Sequence, residues 1–373
     1  MEPPLVIAGA GIAGLALAAA LEHAGDPPPY LLLDERPALG STGGAITLWP
    51  NALAALDAID VGDAVRRAGH PLGAGSIRTM DDRLLRSLDL ERSAAALGGP
   101  LVALRRGDLV EILHERIRDD SVRLASAVRG YDHGGDGVQV ITDGETIRAT
   151  ALVGADGYRS EVARALHPGL AETYAGYPAW RGIARRGGEP VQYWGSHQEF
   201  GIVPLGGDAS YWFATVRERA GGSNADELAH LRSSFAGWPA PVQEVLAATD
   251  PADVTRNDVM DREIPRRWTD GRVVVIGDAA HAMRPHLGQG GCQALIDAVV
   301  LAHLVHATPS LAAAFAAFER QRRSPASRIV ALSRTAGRAV EGPSALHRFT
   351  RLVPDAVMLR TLAKVAGAAT FRG

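Results

Sequence analysis

Three glycines near the start constrain this chain more than any other feature. Leu5-Val-Ile-Ala8 reads as a buried strand, and Gly9-Ala-Gly11-Ile-Ala-Gly14 follows at once. Leu15 to Ala24 carries helix formers throughout, Gly25 to Pro29 stops that helix, and Tyr30-Leu-Leu-Leu33 is a second strand ending in Asp34-Glu35. Strand, glycine turn, helix and strand make a βαβ unit. Gly9 makes the tight turn, Gly11 lets backbone N–H groups approach a pyrophosphate, and Gly14 lets helix and strand pack. The helix N-terminus adds partial positive charge for the phosphates. Glu35, 21 residues beyond Gly14, is placed to hold a ribose 2′-hydroxyl, with Arg36 next to it. The spacing predicts a dinucleotide with a free ribose, NAD or FAD, because the acid would repel a 2′-phosphate.

The chain has 373 residues, room for one large or two ordinary domains. A formal charge of −3 gives no footprint for nucleic acid or an anionic membrane. Nearly every base is arginine and the only lysine is Lys364, so a mid-chain catalytic lysine is excluded. The single cysteine, Cys292, cannot close an internal disulfide, which predicts a reducing, cytoplasmic compartment. Leu5 to Leu21 lacks the basic start of a signal peptide. No stretch reads as a membrane span, no repeat is visible, and no metal site is assigned.

A late segment decides between the two cofactors. Arg272-Val-Val-Val-Ile-Gly277-Asp278 reads as another buried strand ending in an acid, and Pro285, Gly288, Gly290 and Gly291 follow before an apolar helix. A flavin extends well beyond its ADP half and needs a second contact region. Asp278 can accept hydrogen bonds from ribityl hydroxyls. The glycines at 288, 290 and 291 let bare N–H groups reach the N1–C2=O edge of the ring. A helix starting near Gly291 aims its positive end there, stabilising negative charge on the reduced flavin.

Together these segments resemble the group A flavoprotein monooxygenases of the para-hydroxybenzoate hydroxylase type. The resemblance rests on Gly9 to Gly14, on Gly154-Ala-Asp156-Gly157 with Ser160, and on Gly277-Asp278 through Pro285 and Gly288. Arg106-Gly-Asp-Leu109 matches the family's Arg-x-Asp-Leu segment, whose arginine contacts FAD. Gly43-Gly44-Ala45-Ile46, before Trp49-Pro50-Asn51, resembles the loop beside the flavin. "YPAWRG" at 177–182 and "GQGGCQ" resemble the branch of urate-hydroxylase-like, salicylate-hydroxylase-like and zeaxanthin-epoxidase-like enzymes. One departure stands out: the family's arginine at the third position after Ser160 is Ala163 here, with Arg164 next.

The resemblance implies an α/β fold: a Rossmann-like FAD-binding domain of glutathione-reductase type, an inserted antiparallel substrate sheet and C-terminal helices. The expected boundaries are 1–71, 91–171 and 262–335 for the FAD-binding domain, 72–90 and 172–261 for the substrate domain, and 336–373 for a helical tail. That tail either covers the sheet or packs on a second subunit, so monomer and homodimer both stay open. Asp156 is expected near the pyrophosphate and the NAD(P)H path. NADH or NADPH docks transiently, and dioxygen forms a C4a-hydroperoxyflavin that oxygenates a hydrophobic aromatic or polyene substrate. The reaction is hydroxylation or epoxidation; a reductase or oxidase of the same fold is the rival reading. A halogenase of the tryptophan type would need a central lysine, which is missing.

Between Glu172 and Asp261 aromatic residues gather in alternating segments that read as antiparallel strands, the roof of a substrate pocket. Tyr211 and Trp212 alternate, so only one of them faces inward. His286, beside Pro285, is the favoured polar residue at the reactive edge; otherwise it makes one backbone hydrogen bond. Arg181 and Tyr211 are candidates for orienting substrate, although a surface ion pair would equally account for Arg181. His281 and Asp297 read as organisers of the loop. Cys292, at a helix start, is either a thiol of lowered pKa or a small buried hydrophobe.

Overall fold

The computed structural model describes residues 2–40, 44–347 and 352–371. Gly43, expected beside the flavin, lies outside the described residues, as do 348–351 and 372–373 of the tail. Leu5–Ala8 pairs in parallel with Tyr30–Leu33 on one side and with Ala151–Gly154 on the other. The complete sheet runs Thr269–Asp270, Val273–Val275, Ala151–Gly154, Leu5–Ala8, Tyr30–Leu33, Val122–Arg123. Only Thr269–Asp270 is antiparallel to its neighbour. Parallel strands are covered on both faces, so Leu5, Val6, Ile7 and Ala8 are each at most 1% exposed.

Helix Ile12–His23 packs against helix Gly290–Ala307. Contrary to expectation, Gly290–Ala307 is long and apolar enough to cross a membrane by length and composition alone. Most of it is buried inside the protein, and a core helix needs apolar residues on every side. The next helix, Leu311–Val340, crosses the expected domain boundary at 335 and carries Pro325 within it.

A second sheet has the order Thr255–Arg262, Glu172–Ala184, Ala209–Val216, Gln198–Gly206, Val191–Gly195, Ala74–Thr79, Leu84–Asp89. Strand alternation gives it two unlike faces. One face carries Trp180, Phe200 and Trp212, all fully buried against helices Glu227–Ser234 and Ala240–Ala247. Phe200 and Trp212 stack with centroids 5.6 Å apart, and Trp212 Nε1 donates to Thr249 Oγ1 at 2.9 Å. Burying Phe200 alone contributes about 1.5–3 kcal/mol. The alternation is thereby decided: Trp212 belongs to the core and Tyr211 to the opposite face. Register puts Arg181 beside Phe213, and Glu199, Gly201 and Val203 beside Thr215, Phe213 and Tyr211.

Candidate active site

Helix Ile12–His23 begins bare. Its first turn holds no acid, and Gly11 at the N-cap offers no side-chain cap, so its leading N–H groups are left for an anion. A Cβ on Gly14 would lie 1.9 Å from the Gly9 carbonyl oxygen, so the backbone itself demands glycine there. Gly11 is different. Its φ is −82°, which any residue adopts, and an added Cβ would meet nothing within 4 Å. The protein alone does not require glycine at 11, and the open space over the turn suits a phosphate. The residues present therefore fit a dinucleotide.

The acid that turns toward this loop is Asp34, which corrects the expectation for Glu35. Asp34 is buried and accepts from the Ala10 N–H at 2.7 Å, whereas Glu35 is exposed. Arg36 forks onto Asp34, Nε to Oδ1 at 2.8 Å and NH2 to Oδ2 at 2.9 Å, and also donates to the carbonyl of Gly40. Burial pushes the Asp34 carboxyl up, but the hydrogen bonds from Arg36 and Ala10 outweigh it and leave the pKa below its ordinary value. Strand geometry explains the swap: Asp34, directly after Leu33, is held inward by the neighbouring turn.

Asp156 Oδ2 accepts from the N–H groups of Glu161 and Val162 at 2.8 and 3.2 Å, at the start of helix Glu161–Leu166. Burial raises its pKa. Ala163 is buried in that helix, and Arg164 is occupied by Glu161 and Glu172 at 3.1 and 3.2 Å.

The second glycine loop is held from behind. Asp297 accepts from Gly277 N at 3.0 Å, His281 Nε2 at 2.6 Å and Arg322 Nε at 2.7 Å. Burial opposes its ionisation, but the Coulomb pull of His281 and Arg322 draws its pKa down to about 2. Arg262, a residue without a sequence signal, donates to the carbonyls of Tyr158 at 2.8 Å and Ala279 at 2.6 Å, tying the loop after Asp156 to the second glycine loop. In front, Pro285–Leu287 forms a single 3-10 turn before Gly288, and Gly290 opens the long helix. Cys292 is no activated thiol, since burial pushes its pKa up to about 12.

Arg106 lies near enough to Asp278, Arg181 and Tyr211 to feel their charge. Arg106 is solvent-accessible although protein surrounds it, and Asp278 is exposed. Burial lowers the Arg106 pKa, and the charge of Asp278 opposes this. Burial raises the Tyr211 hydroxyl, while Arg181 and Arg106 pull it back. Arg181 thus interacts with Tyr211 and makes no ion pair among the described residues. Gly44 faces the Tyr211 ring, with an added Cβ 3.9 Å from Cε2. Surface clefts beside Arg320 and beside Tyr193 lie elsewhere.

His286, the favoured polar residue, does not make the backbone hydrogen bond of its alternative reading. Its Nε2 points between Glu199 Oε2 at 3.7 Å and Glu341 Oε1 at 3.9 Å. The sequence reading missed Glu199, Glu341 and Tyr177. The available signal was parity: Glu199 shares a face with Gly201 and Val203 on a strand already placed in the roof sheet.

Comparison with known proteins gives the family. The FAD binding domain family matches residues 2–331. The chain belongs to that family. It is 36% identical over 354 residues to an aurachin C monooxygenase/isomerase of Stigmatella aurantiaca, covering 93% of this chain and 92% of the relative. It is 32% identical to a FAD-dependent urate hydroxylase of Klebsiella pneumoniae, covering 85% of each chain. A chloroplastic zeaxanthin epoxidase of Solanum lycopersicum is 33% identical over 318 residues, although this chain spans 47% of that protein. The crystal structure of Klebsiella pneumoniae HpxO with FAD and uric acid superposes with a TM-score of 0.89 at 27% identity, covering 98% of both chains. The chain is therefore an FAD-dependent monooxygenase of the para-hydroxybenzoate hydroxylase type, with the α/β fold expected.

Proposed function

We propose that this monooxygenase hydroxylates a hydrophobic ring substrate held between the second glycine loop and the roof sheet, with NADH or NADPH as transient electron donor. The observation that carries the reading is the pairing of two features: the Gly11 turn, whose open space suits a phosphate, and a roof-sheet face that gathers Arg181, Tyr211, Phe213 and Glu199 on the side away from the Trp180 and Trp212 core. Relatives that act on urate, aurachin C and zeaxanthin support a ring or polyene substrate. Epoxidation stays within the same reading, since both reactions transfer one oxygen atom.

Bound FAD supplies electron transfer and oxygen activation. The chain does the rest. The N–H groups at Gly11 and in the first turn of helix Ile12–His23 would hold the pyrophosphate, and Asp34 with Arg36 the adenosine ribose. Arg106, Asp156 and Asp278 line the cofactor path. Gly44, Gly277, Pro285, Gly288, Gly290 and Gly291 bring bare backbone to the ring. Arg181 and Tyr211 orient the substrate, and the aromatic roof excludes water. The reading takes 1–71, 91–171 and 262–335 as cofactor-binding, 72–90 and 172–261 as substrate-binding, and 336–373 as a tail. A cytoplasmic location is supported by a lone, buried cysteine.

The test uses FAD-loaded protein, NADH or NADPH, and 18O-labelled dioxygen, with mass spectrometry of products from a panel of ring substrates and polyenes. The expected product gains one labelled oxygen atom. A product that instead gains two hydrogens, or peroxide formation with every compound, refutes the monooxygenase reading.

A further inference from the structure

Three titratable side chains from distant parts of the chain converge under the roof sheet. Glu199 comes from strand Gln198–Gly206, His286 from the turn Pro285–Leu287, and Glu341 from the end of helix Leu311–Val340. Their ligand atoms all lie within 4.8 Å of one another. The side chains of His286 and Glu199 are 1% and 5% exposed. Separations of 3.7 and 3.9 Å from His286 Nε2 to the two acids are too long for hydrogen bonds and short enough for strong coupling.

The surroundings leave this cluster's capacity unspent. Neither ring nitrogen of His286 has a hydrogen-bond partner among the described residues, nor does the Tyr177 hydroxyl. Tyr177 meets His286 edge-on, with centroids 5.8 Å apart. Glu341 accepts from Thr215, which sits opposite Glu199 in register. Arg284 lies over the Tyr177 ring, but its Nε donates to Asp261 at 3.0 Å. The rings of His197 and His347 bond to the backbone carbonyls of Glu341 and Val340. Buried polar groups are normally hydrogen-bonded, so the unpartnered His286 Nε2 and Tyr177 hydroxyl, both beside Glu199 and Glu341, point to a polar group that enters there. His286 stands on the turn that the proposed function sets beside the flavin.

We propose that Glu199, His286 and Glu341 form the proton-accepting end of the substrate pocket, which selects a ring substrate bearing an acidic N–H or O–H. The proposal rests on the monooxygenase reading above. The step is a proton transfer alone: the substrate N–H or O–H bond breaks, its proton bonds to Glu199 Oε2, and the electron pair stays on the ring. The substrate anion faces His286, whose ring N–H stabilises it, and the enriched ring is more reactive toward an electrophilic oxygen. Burial, reinforced by Glu341 and opposed by His286, raises the Glu199 pKa to about 7, suited to proton exchange near neutrality.

The test uses FAD-loaded wild type, Glu199→Gln, His286→Phe and Glu341→Gln. Each is titrated with 4-nitrophenol, 4-hydroxyquinoline and uracil between about pH 6 and pH 8, and difference spectra report the ionisation of the bound probe. Wild type is expected to bind a probe as its anion at a pH where the free probe is neutral. Glu199→Gln should bind the neutral form, about tenfold more weakly or worse. Glu341→Gln should keep anion binding and shift its profile to lower pH, a change that a merely structural role does not produce. The same ionisation in every variant overturns the proposal, as does failure of all three probes to bind the FAD-loaded wild type. So does binding that depends on added Zn²⁺ after EDTA dialysis, which assigns the three groups to a cation. Flavin content is read from each spectrum; wild type that takes up no FAD sinks the flavoprotein reading and this proposal with it.

Discussion

Glu199→Gln should stabilise the folded protein at alkaline pH and leave it unchanged in acid. The ordinary glutamate pKa of 4.5 is raised to about 7 at this site, first by burial and then by the charge of Glu341 against the pull of His286. The folded state therefore holds its proton where the unfolded chain has released it. Stability is fully present below about pH 4.5 and falls as pH rises toward 7, where the folded carboxyl finally ionises. A shift of about 2.5 units at about 1.4 kcal/mol each makes that loss roughly 3 kcal/mol by pH 8. Glutamine keeps the shape and removes the titration. Guanidinium unfolding of FAD-loaded wild type and variant at about pH 5 and pH 8, followed by flavin fluorescence, measures the difference. The gap between the two proteins should open with pH. His286→Phe removes the charge that lowers the Glu199 pKa, so its fall should come at higher pH. Glu341→Gln removes the like charge, so its fall should come at lower pH. Unfolding curves for wild type and Glu199→Gln that stay parallel from pH 5 to pH 8 would refute the reasoning.

Three other outcomes follow from the site's construction. Gly11→Ala should fold normally but bind FAD about tenfold more weakly or worse, about 1.4 kcal/mol, whereas Gly14→Ala should fail to accumulate as folded protein; equal FAD affinity of wild type and Gly11→Ala by equilibrium dialysis counts against the phosphate site. Asp297→Ala leaves Arg322 and His281 without their buried acid and should cost about 3–5 kcal/mol of stability by denaturant unfolding. Cys292, with its thiol pushed up to about 12, should resist iodoacetamide at neutral pH in folded protein, and rapid labelling by mass spectrometry would contradict its burial.

The cofactor half was legible because its requirements are local. Gly9, Gly11 and Gly14 sit within one turn, and strand, turn and helix follow from consecutive residues. Even there, one detail was not. Asp34 and Glu35 are adjacent acids, and which of them turns inward depends on the Ala10 N–H and the Arg36 fork, neither of which a spacing rule contains. Tyr211 against Trp212 was posed correctly as a parity question, but parity needs a packed partner to fix its sign. Helices Glu227–Ser234 and Ala240–Ala247 supplied it by covering Trp212. The acid cluster was legible only in part: His286 stood out beside Pro285 and strand parity bore on Glu199, but Glu199, His286 and Glu341 are separated by 87 and 55 residues, and nothing local brings them together.

That separation bears on how the pocket is assembled. Glu341 caps the last turn of Leu311–Val340, a helix fixed to the cofactor domain through Arg322 on Asp297 and Ser333 Oγ on the Arg284 carbonyl at 2.6 Å. Asp297 in turn holds Gly277 and His281 behind the flavin loop. One helix therefore secures the cofactor loop at its middle and delivers an acid to the roof at its end, where Thr215 receives it. Cutting the middle should move both. In Arg322→Met the loop loses its anchor and Glu341 its registration, so FAD affinity and the pH dependence set by Glu199 should change together. Glu341→Gln should change the second alone. Measuring FAD affinity and the pH profile of unfolding on both variants separates the two, and an Arg322→Met protein altered in FAD affinity only would show that the helix end is placed by the roof sheet rather than by the loop.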